Sequence, residues 1–405
     1  MRFTAQVGGD HRCVIKFDPI DKDTYLLLHQ TRGRAGQQHS GFELRGVARN
    51  GDSFVSTGAY VQQLGGGRQG WRLKLALQNT TITVGLKEGP ETPILRRHFR
   101  AFRSHLNPIH QTSLGHVVVY GTHEAVAPDT VSGHVAIQAL DAETDPVAWR
   151  EEAGSFLSHM HSGLSFAHGG RLQVAQEDFI AGGFWTATFH SGIGFAPELP
   201  LQDFLNHGPF IDALVKGYFE SGPLNDGYST ALGWLQLPTT FDEVRFLSAM
   251  TALEVIVDTQ LPKAEKGGMM VKSDFRALRD KLNAAIDAEL DVDPDARAIM
   301  KAKIEDANKK VLSQKIKALF KHLAVPTRDF DDATIKRLTA VRNEIVHRGE
   351  IPDRDLIWRE IVLIRELINR ILMGAIGYSG RYCCYVDGEH ERTFPDLQPF
   401  PPAAG

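Results

Sequence analysis

Cysteine is scarce in this chain of 405 residues: there are three, Cys13, Cys383 and Cys384. An odd number with two of them adjacent is no disulfide framework, and the natural setting is a reducing cytoplasm. No C-x-x-C and no nearby histidine ladder accompanies them, so a soft-metal knuckle is not indicated. Long hydrophobic runs are lacking too. The most apolar stretch, from Ile361 to Ile376, is broken by Arg365, Glu366, Asn369 and Arg370. That excludes a membrane span and points to a buried helix. The first residues, MRFTAQVGGDHRC, lack the basic-then-apolar pattern of a signal peptide. No excess of positive charge exists: 45 Lys and Arg face 49 Asp and Glu, giving a net charge of −4 and a pI of about 6.5. A nucleic-acid partner must therefore meet a local basic patch, because the field of the whole molecule does not attract it. Internal repeats and long low-complexity tracts are absent. Only the Pro-rich end, FPDLQPFPPAAG, is biased, and it reads as a loose tail.

What is present is a chain that is 42% hydrophobic, enough for two or three cored domains. Residues 1–145 read as β. Short β-branched and aromatic runs occur at Arg12–Phe17, Thr24–His29, Phe42–Ala48, Phe54–Gln62, Trp71–Leu77, Thr80–Leu86, His116–Gly121 and Gly133–Leu140. Gly-rich punctuation such as Gly65-Gly66-Gly67 separates them. Many short strands with turn signals predict a sandwich or barrel-like region. Residues 146–204 are mixed: a helix from Pro146 to Leu164, then strands at Arg171–Val174 and Phe184–His190. His159, His161 and His168 crowd there, but with no completing carboxylate or cysteine they read as solvated or hydrogen-bonded histidines.

Residues 205–380 predict an all-α domain, and 381–405 a C-terminal tail. Helices are expected over Asp203–Glu220, Phe241–Gln260, one capped by Ser273, one from Pro294 to Leu323, one from the Asp331/Asp332 cap to His347, and a last from Asp353 to Gly377. The Pro294–Leu323 helix would carry a basic face that includes Lys309, Lys310 and Lys315. With Arg348 these are the candidate RNA contacts, against the plainer reading of a solvated helix face. No stacking aromatic series accompanies them.

One heptapeptide carries chemistry: Arg342-Asn343-Glu344-Ile345-Val346-His347-Arg348. Arginine brings a planar, permanently charged fork suited to phosphate. Histidine moves protons near neutral pH. RNA cleavage through the 2′-hydroxyl needs both. On a helical wheel at ~100° per residue, Ile335, Leu338, Val341, Ile345 and Val346 form the apolar stripe, with Arg342 inside it and Asn343 and His347 along one edge. A buried-side arginine needs a partner, and Glu254, on the face of Leu247, Met250 and Val257, can supply it. Two readings stay open. Arg342 locks two helices together while His347 merely caps a helix end, or Glu254 holds the guanidinium at a cleft. Arg342 and His347 stand more than 90° apart on the wheel, so a two-residue clamp calls for two copies across a two-fold axis. Leu356, Ile357, Ile361, Ile364 and Leu367 of the last helix are expected to add apolar surface for that contact.

The arginine and histidine enclose four residues, and this region resembles the R-x4-6-H motif of HEPN ribonucleases, in particular the ApeA-like branch. The likeness rests on Lys216-Gly217-Tyr218-Phe219, on Phe246-Leu247-Ser248-Ala249-Met250-Thr251-Ala252-Leu253-Glu254, and on Arg342 to Gly349, within residues 205–378. It implies a helical bundle that dimerises through the motif helix and cleaves RNA without metal or cofactor, as an antiphage defence effector. In that scheme His347 is the general acid or base, Arg342 stabilises the phosphorane, Asn343 orients His347 or binds phosphate, and Glu254 positions Arg342. The implied partners are RNA, a second copy or a larger even assembly, and a phage-derived trigger at the β-rich N-terminal region. Gly349 stands where some HEPN toxins carry a modified tyrosine, which argues against antitoxin pairing by that route. The rivals are a non-catalytic HEPN dimerisation or ligand-binding module, and a carbohydrate- or peptide-binding β domain with a helical oligomerisation tail.

Overall fold

A computed structural model describes residues 3–9, 11–17, 20–31, 42–67, 70–289, 293–349 and 353–399. The chain is α+β, with an antiparallel sheet in its N-terminal half and helices through its C-terminal half. It divides into two compact units, Met1–Pro223 with Ile376–Cys383, and Leu224–Ala375 with Cys384–Gly405.

The first unit contains β1 (Phe3–Val7), β2 (Cys13–Phe17), α1 (Lys22–Thr31), β3 (Phe42–Val47), β4 (Ser53–Gly67), β5 (Gly70–Leu77) and β6 (Asn79–Gly85). It continues with β7 (Ile94–Arg100), β8 (His110–Gln111), β9 (His116–Gly121), β10 (Val131–Gln138), α2 (Pro146–His168), β11 (Val174–Ala181), β12 (Phe184–His190) and α3 (His207–Ser221). In this region, expected to be a sandwich or barrel-like sheet, hydrogen bonds join twelve strands among the described residues into one antiparallel sheet. Its order is β1-β2-β5-β4-β6-β12-β11-β7-β10-β9-β8, with β3 on β4. Period-two burial shows why these residues form strands. In β10, Gly133, Val135 and Ile137 are buried while His134 and Ala136 lie on the other face. α2 packs on β7 and β10, stacking His161 on Phe99 and burying Phe156, Leu157, Met160 and Leu164.

Several expected elements differ. Thr24–His29 lies in helix α1, because the Asp21 carboxylate accepts from the Thr24 backbone N–H at 2.7 Å and starts a helix there. The three glycines end strand β4, with Gly67 opposite Gly70 across the hairpin. The strand expected at Arg171–Val174 begins at Val174. β7 was not anticipated.

The helix ending in Lys216-Gly217-Tyr218-Phe219 is α3, which packs on α2 in the first unit. Phe156 meets Tyr218 edge-on at 5.1 Å between ring centroids.

The second unit is built of α4 (Asp226–Leu235), α5 (Asp242–Gln260), α6 (Lys272–Ala288), α7 (Pro294–Asp306), α8 (Leu312–His322), α9 (Asp332–Arg348) and α10 (Arg354–Ala375). α5 is the hub, apolar nearly all round and packed against α4, α8, α9 and α10. α6 and α7 pack on each other and bury no residue fully. The single helix expected from Pro294 to Leu323 is two. At the break the Asn308 side chain accepts from the Met270 backbone N–H at 2.7 Å and donates to the Met270 carbonyl at 3.2 Å. The Asn308 main-chain carbonyl accepts from the Met269 N–H at 2.8 Å, which takes it out of a helical ladder.

α10 is the buried helix foreseen from its charges. Arg370 and Glu366 are sealed in the core. The Arg370 guanidinium donates to Glu366 at 2.8 Å and to Asp329 at 2.7 Å, and Arg392 adds a second bond to Asp329 at 2.6 Å. Its Ile357, Ile361, Ile364 and Leu367 are buried within the chain, so they supply no surface for a second copy.

The end of the chain forms β13 (Gly380–Cys384), β14 (His390–Phe394) and β15 (Gln398–Pro399). Phe394 and Leu397 are buried, so the tail reading fails over these residues; residues 400–405 lie outside those described. Among the described residues no helix is long and apolar enough to cross a membrane.

Candidate functional site

Helix α9 is fixed at both ends by its own sequence. The Asp331 side chain accepts from the Thr334 N–H at 2.7 Å, and Gly349 closes the helix at φ 83°, a left-handed conformation that suits glycine. Ile335, Leu338, Val341 and Ile345 are buried. Val346, expected in that stripe, is 55% exposed. Arg342 sits at the edge of the buried stripe and reaches across to α5. Its Nε donates to Glu254 Oε1 at 3.1 Å, and its Nη1 makes a long 3.4 Å bond to Asn343 Oδ1.

The pair expected between Glu254 and Arg342 is thus present, but it is not sealed. The two side chains are 37% and 36% exposed. They stand at the wall of a cavity of about 560 Å³ between α5, α8 and α9, which also takes in Asn343, Lys315, Ser313 and Asp258. Two cations and two acids line it. Glu254 engages Arg342, and Asp258 lies 3.5 Å from Lys266, so Lys315 has no ion-pair partner among the described residues. An anion entering the cavity would meet the Lys315 ammonium and the remaining donors of Arg342, a combination suited to phosphate.

His347 does not line the cavity. It lies exposed on the last turn of α9, one turn beyond Asn343. The motif is therefore split: Arg342, Asn343 and Glu254 converge in one chain, and His347 presents itself outward. The four basic candidates also part company. Lys315 faces the cavity. Lys309 and Lys310 fall in the break between α7 and α8, where Lys309 pairs with Asp306 at 2.7 Å and Lys310 donates to the Glu265 carbonyl at 2.8 Å. Arg348 pairs with Glu344 at 2.7 Å. They form no single basic face.

Two of the three clustered histidines have carbonyl partners. His159 and His161 bond the carbonyls of Leu214 and Leu172 at 3.0 and 2.7 Å. Burial pushes His168 down to about 4, so it is neutral at physiological pH. No metal-binding cluster occurs among the described residues. Burial pushes the Cys13 thiol up to about 11 and Cys384 to about 12, which removes both as thiolate nucleophiles.

One constellation was not foreseen. On the sheet face opposite α2, Asp178 of β11 is fully buried yet takes Arg96 at 2.7 Å, His98 at 2.8 Å and the Trp185 indole N–H at 3.0 Å. His134 stacks on Tyr120 next to it. Burial by itself would raise the Asp178 carboxyl. Hydrogen bonds from His98, Gln176 and Arg96 outweigh it and hold the group far below the usual carboxylate range. The alternation Arg96, His98, Arg100 in β7 was the available signal. Compared with family models, curated proteins and solved structures, the chain matches none.

Proposed function

We propose that the second unit is a metal-independent endoribonuclease of the HEPN kind, acting in antiphage defence and completed by a second copy of the chain. The observation that carries this reading is the convergence of Arg342, Asn343, Glu254 and Lys315 on one open cavity. Arg342 and Lys315 would bind the scissile phosphate, with Arg342 stabilising the charge that builds on the non-bridging oxygens. Glu254 would hold the guanidinium, and Asn343 would add a polar contact. His347 from a second copy would take the proton of the 2′-hydroxyl or give one to the leaving 5′-oxygen. The bond from the 2′-oxygen to phosphorus forms as the bond to the 5′-oxygen breaks, leaving a 2′,3′-cyclic phosphate and a 5′-hydroxyl. The β-rich first unit would respond to a trigger.

The test is cleavage of labelled RNA by the purified chain in EDTA. Arg342→Ala and His347→Ala should each abolish it while leaving the melting temperature within a few degrees. Full activity in either variant, or loss of wild-type activity on chelation, contradicts the mechanism. A second reading, a non-catalytic dimerisation or ligand-binding module, is favoured by the position of His347 outside the cavity. It predicts RNA binding that depends on Arg342 and Lys315 with no cleavage at all.

A further inference from the structure

The segment after α5 and the break between α7 and α8 run side by side. Gly268 and Lys309 form an antiparallel bridge, and the Met269 N–H donates to the Asn308 carbonyl at 2.8 Å. The Asn308 side chain closes on the Met270 backbone in both directions. Gly268 belongs to this contact, since a Cβ there would fall 2.1 Å from Asn308 Nδ2. Backbone bonds thus fix one wall of a cavity of about 360 Å³, within the range of small-ligand sites. The first turns of α6 form the facing wall.

Charge is what sets this cavity apart. Lys266, Lys272, Arg276, Arg279 and Lys309 line it, against Glu305 as the one acid in the lining. Lys266 has Asp258, Arg279 has Glu305 at 3.2 Å, and Lys309 has Asp306. Lys272 and Arg276 have no ion-pair partner among the described residues. They stand four apart on one helix, a spacing at which like charges repel. In a chain of net charge −4, cations held together without a compensating acid point to an anion that is absent from the folded chain itself. Phe275 lies between them, half-exposed and also in the lining, and an aromatic face beside phosphate-binding cations accepts a nucleobase.

We propose that this pocket binds a phosphorylated nucleoside, with Lys272 and Arg276 on the phosphate and Phe275 against the base. The source of that chemistry is either a single RNA strand or a free nucleotide. The inference is independent of cleavage, because none of these residues belongs to the Arg342 cavity.

The probe is a short fluorescein-labelled 2′-O-methyl oligouridylate, which has no free 2′-hydroxyl and resists 2′-OH chemistry. Its anisotropy is followed with the full chain, and ATP is the competitor. The double variant Lys272→Ala/Arg276→Ala changes two exposed side chains, and an unchanged melting temperature shows that it folds. It should weaken the oligonucleotide by at least ~tenfold and flatten the salt dependence by a slope of about 1.4, the share of two cations on a single strand. Phe275→Leu should weaken it by a further fewfold. Oligonucleotide that ATP does not displace identifies a strand site. ATP that binds in its own right, with the same dependence on Lys272 and Arg276, identifies a nucleotide site. Equal affinity of wild type and double variant for both probes, or no binding of either to the wild type, overturns the proposal. Binding of the two probes is read here and strand cleavage there, and the pocket shares no lining residue with the Arg342 cavity, so failure here and failure of the ribonuclease reading give different results.

Discussion

Two acid–arginine pairs decide how individual residues behave, and exposure separates them. Glu254 and Arg342 are each more than a third exposed, so water screens the pair and its contribution to folding is about 1 kcal/mol or less. Glu254→Gln should barely move the melting temperature yet cut RNA cleavage strongly, because it loosens the guanidinium; a large stability loss with normal cleavage would reverse that assignment. Asp178 is the opposite case. Removing it takes the buried acceptor away from His98, Gln176 and the Trp185 indole at once, at a cost of about 1–3 kcal/mol for a buried donor left unsatisfied, so Asp178→Ala should unfold the first unit at a lower urea concentration. The pH dependence follows from the same groups. Burial would raise the Asp329 carboxyl, but Arg370 and Arg392 hold it below the usual range, as His98, Gln176 and Arg96 do for Asp178. Both depressed carboxylates contribute stability that is complete above the unfolded carboxylate value, about 4. It is lost as pH falls below that value toward the folded ones. Burial pushes His134, His161, His168 and His207 down to about 4, so the unfolded chain takes up protons below about pH 6.5 that the folded one refuses. Urea midpoints should therefore begin to fall below about pH 6.5 and fall further below about pH 4 as the carboxylates are protonated. The Glu254–Arg342 pair was legible because Arg342 interrupts the apolar stripe of α9 and Glu254 interrupts the apolar surface of α5, so each charge called for a partner. Asp178 was not, because strand β7 was not anticipated and only the sheet register brings Arg96 opposite Asp178.

Among the elements, helix α9 matters most, since it carries Arg342, Asn343 and His347. Both of its ends were readable from Asp331 and Gly349, residues whose capping chemistry is local. Asp331→Ala should cost about 1 kcal/mol, and Gly349→Ala about 1–2 kcal/mol because φ there is left-handed; chemical denaturation measures both, and a neutral result for either would mean that the tertiary packing of α9 alone sets its ends. The break between α7 and α8 was hidden because helical periodicity runs on through it. What ends α7 is Asn308 bonding to Met270, 38 positions earlier. β7 escaped notice for a related reason. Its Arg96 and Arg97 read as solvent-facing charge until β11 supplies Asp178 and Glu177 as partners. The leucines of α1 suggested a strand, and the Asp21 cap was the overlooked local sign.

At the scale of the whole molecule, the account stands on a second copy of the chain. Of the aliphatic residues of α10 expected to form the contact, Ile357, Ile361, Ile364 and Leu367 are spent inside the unit and Leu356 is partly exposed. The apolar side chains left outside include Val346 beside His347, Phe241 just before α5, Val244 on α5 and Trp358 on α10. Light scattering at micromolar concentration should report a dimer or larger even assembly, and Val346→Glu should shift it toward monomer and silence cleavage together. The most direct measurement of the central claim mixes two inactive variants. Purified Arg342→Ala and His347→Ala are combined in equal amounts, allowed to exchange subunits, and given a labelled RNA in EDTA. A site shared between copies predicts that cleavage returns to a substantial fraction of wild type, with 2′,3′-cyclic phosphate ends, because mixed dimers hold one intact arginine and one intact histidine. A mixture as inactive as its two components, under conditions where the wild type cuts, would contradict it.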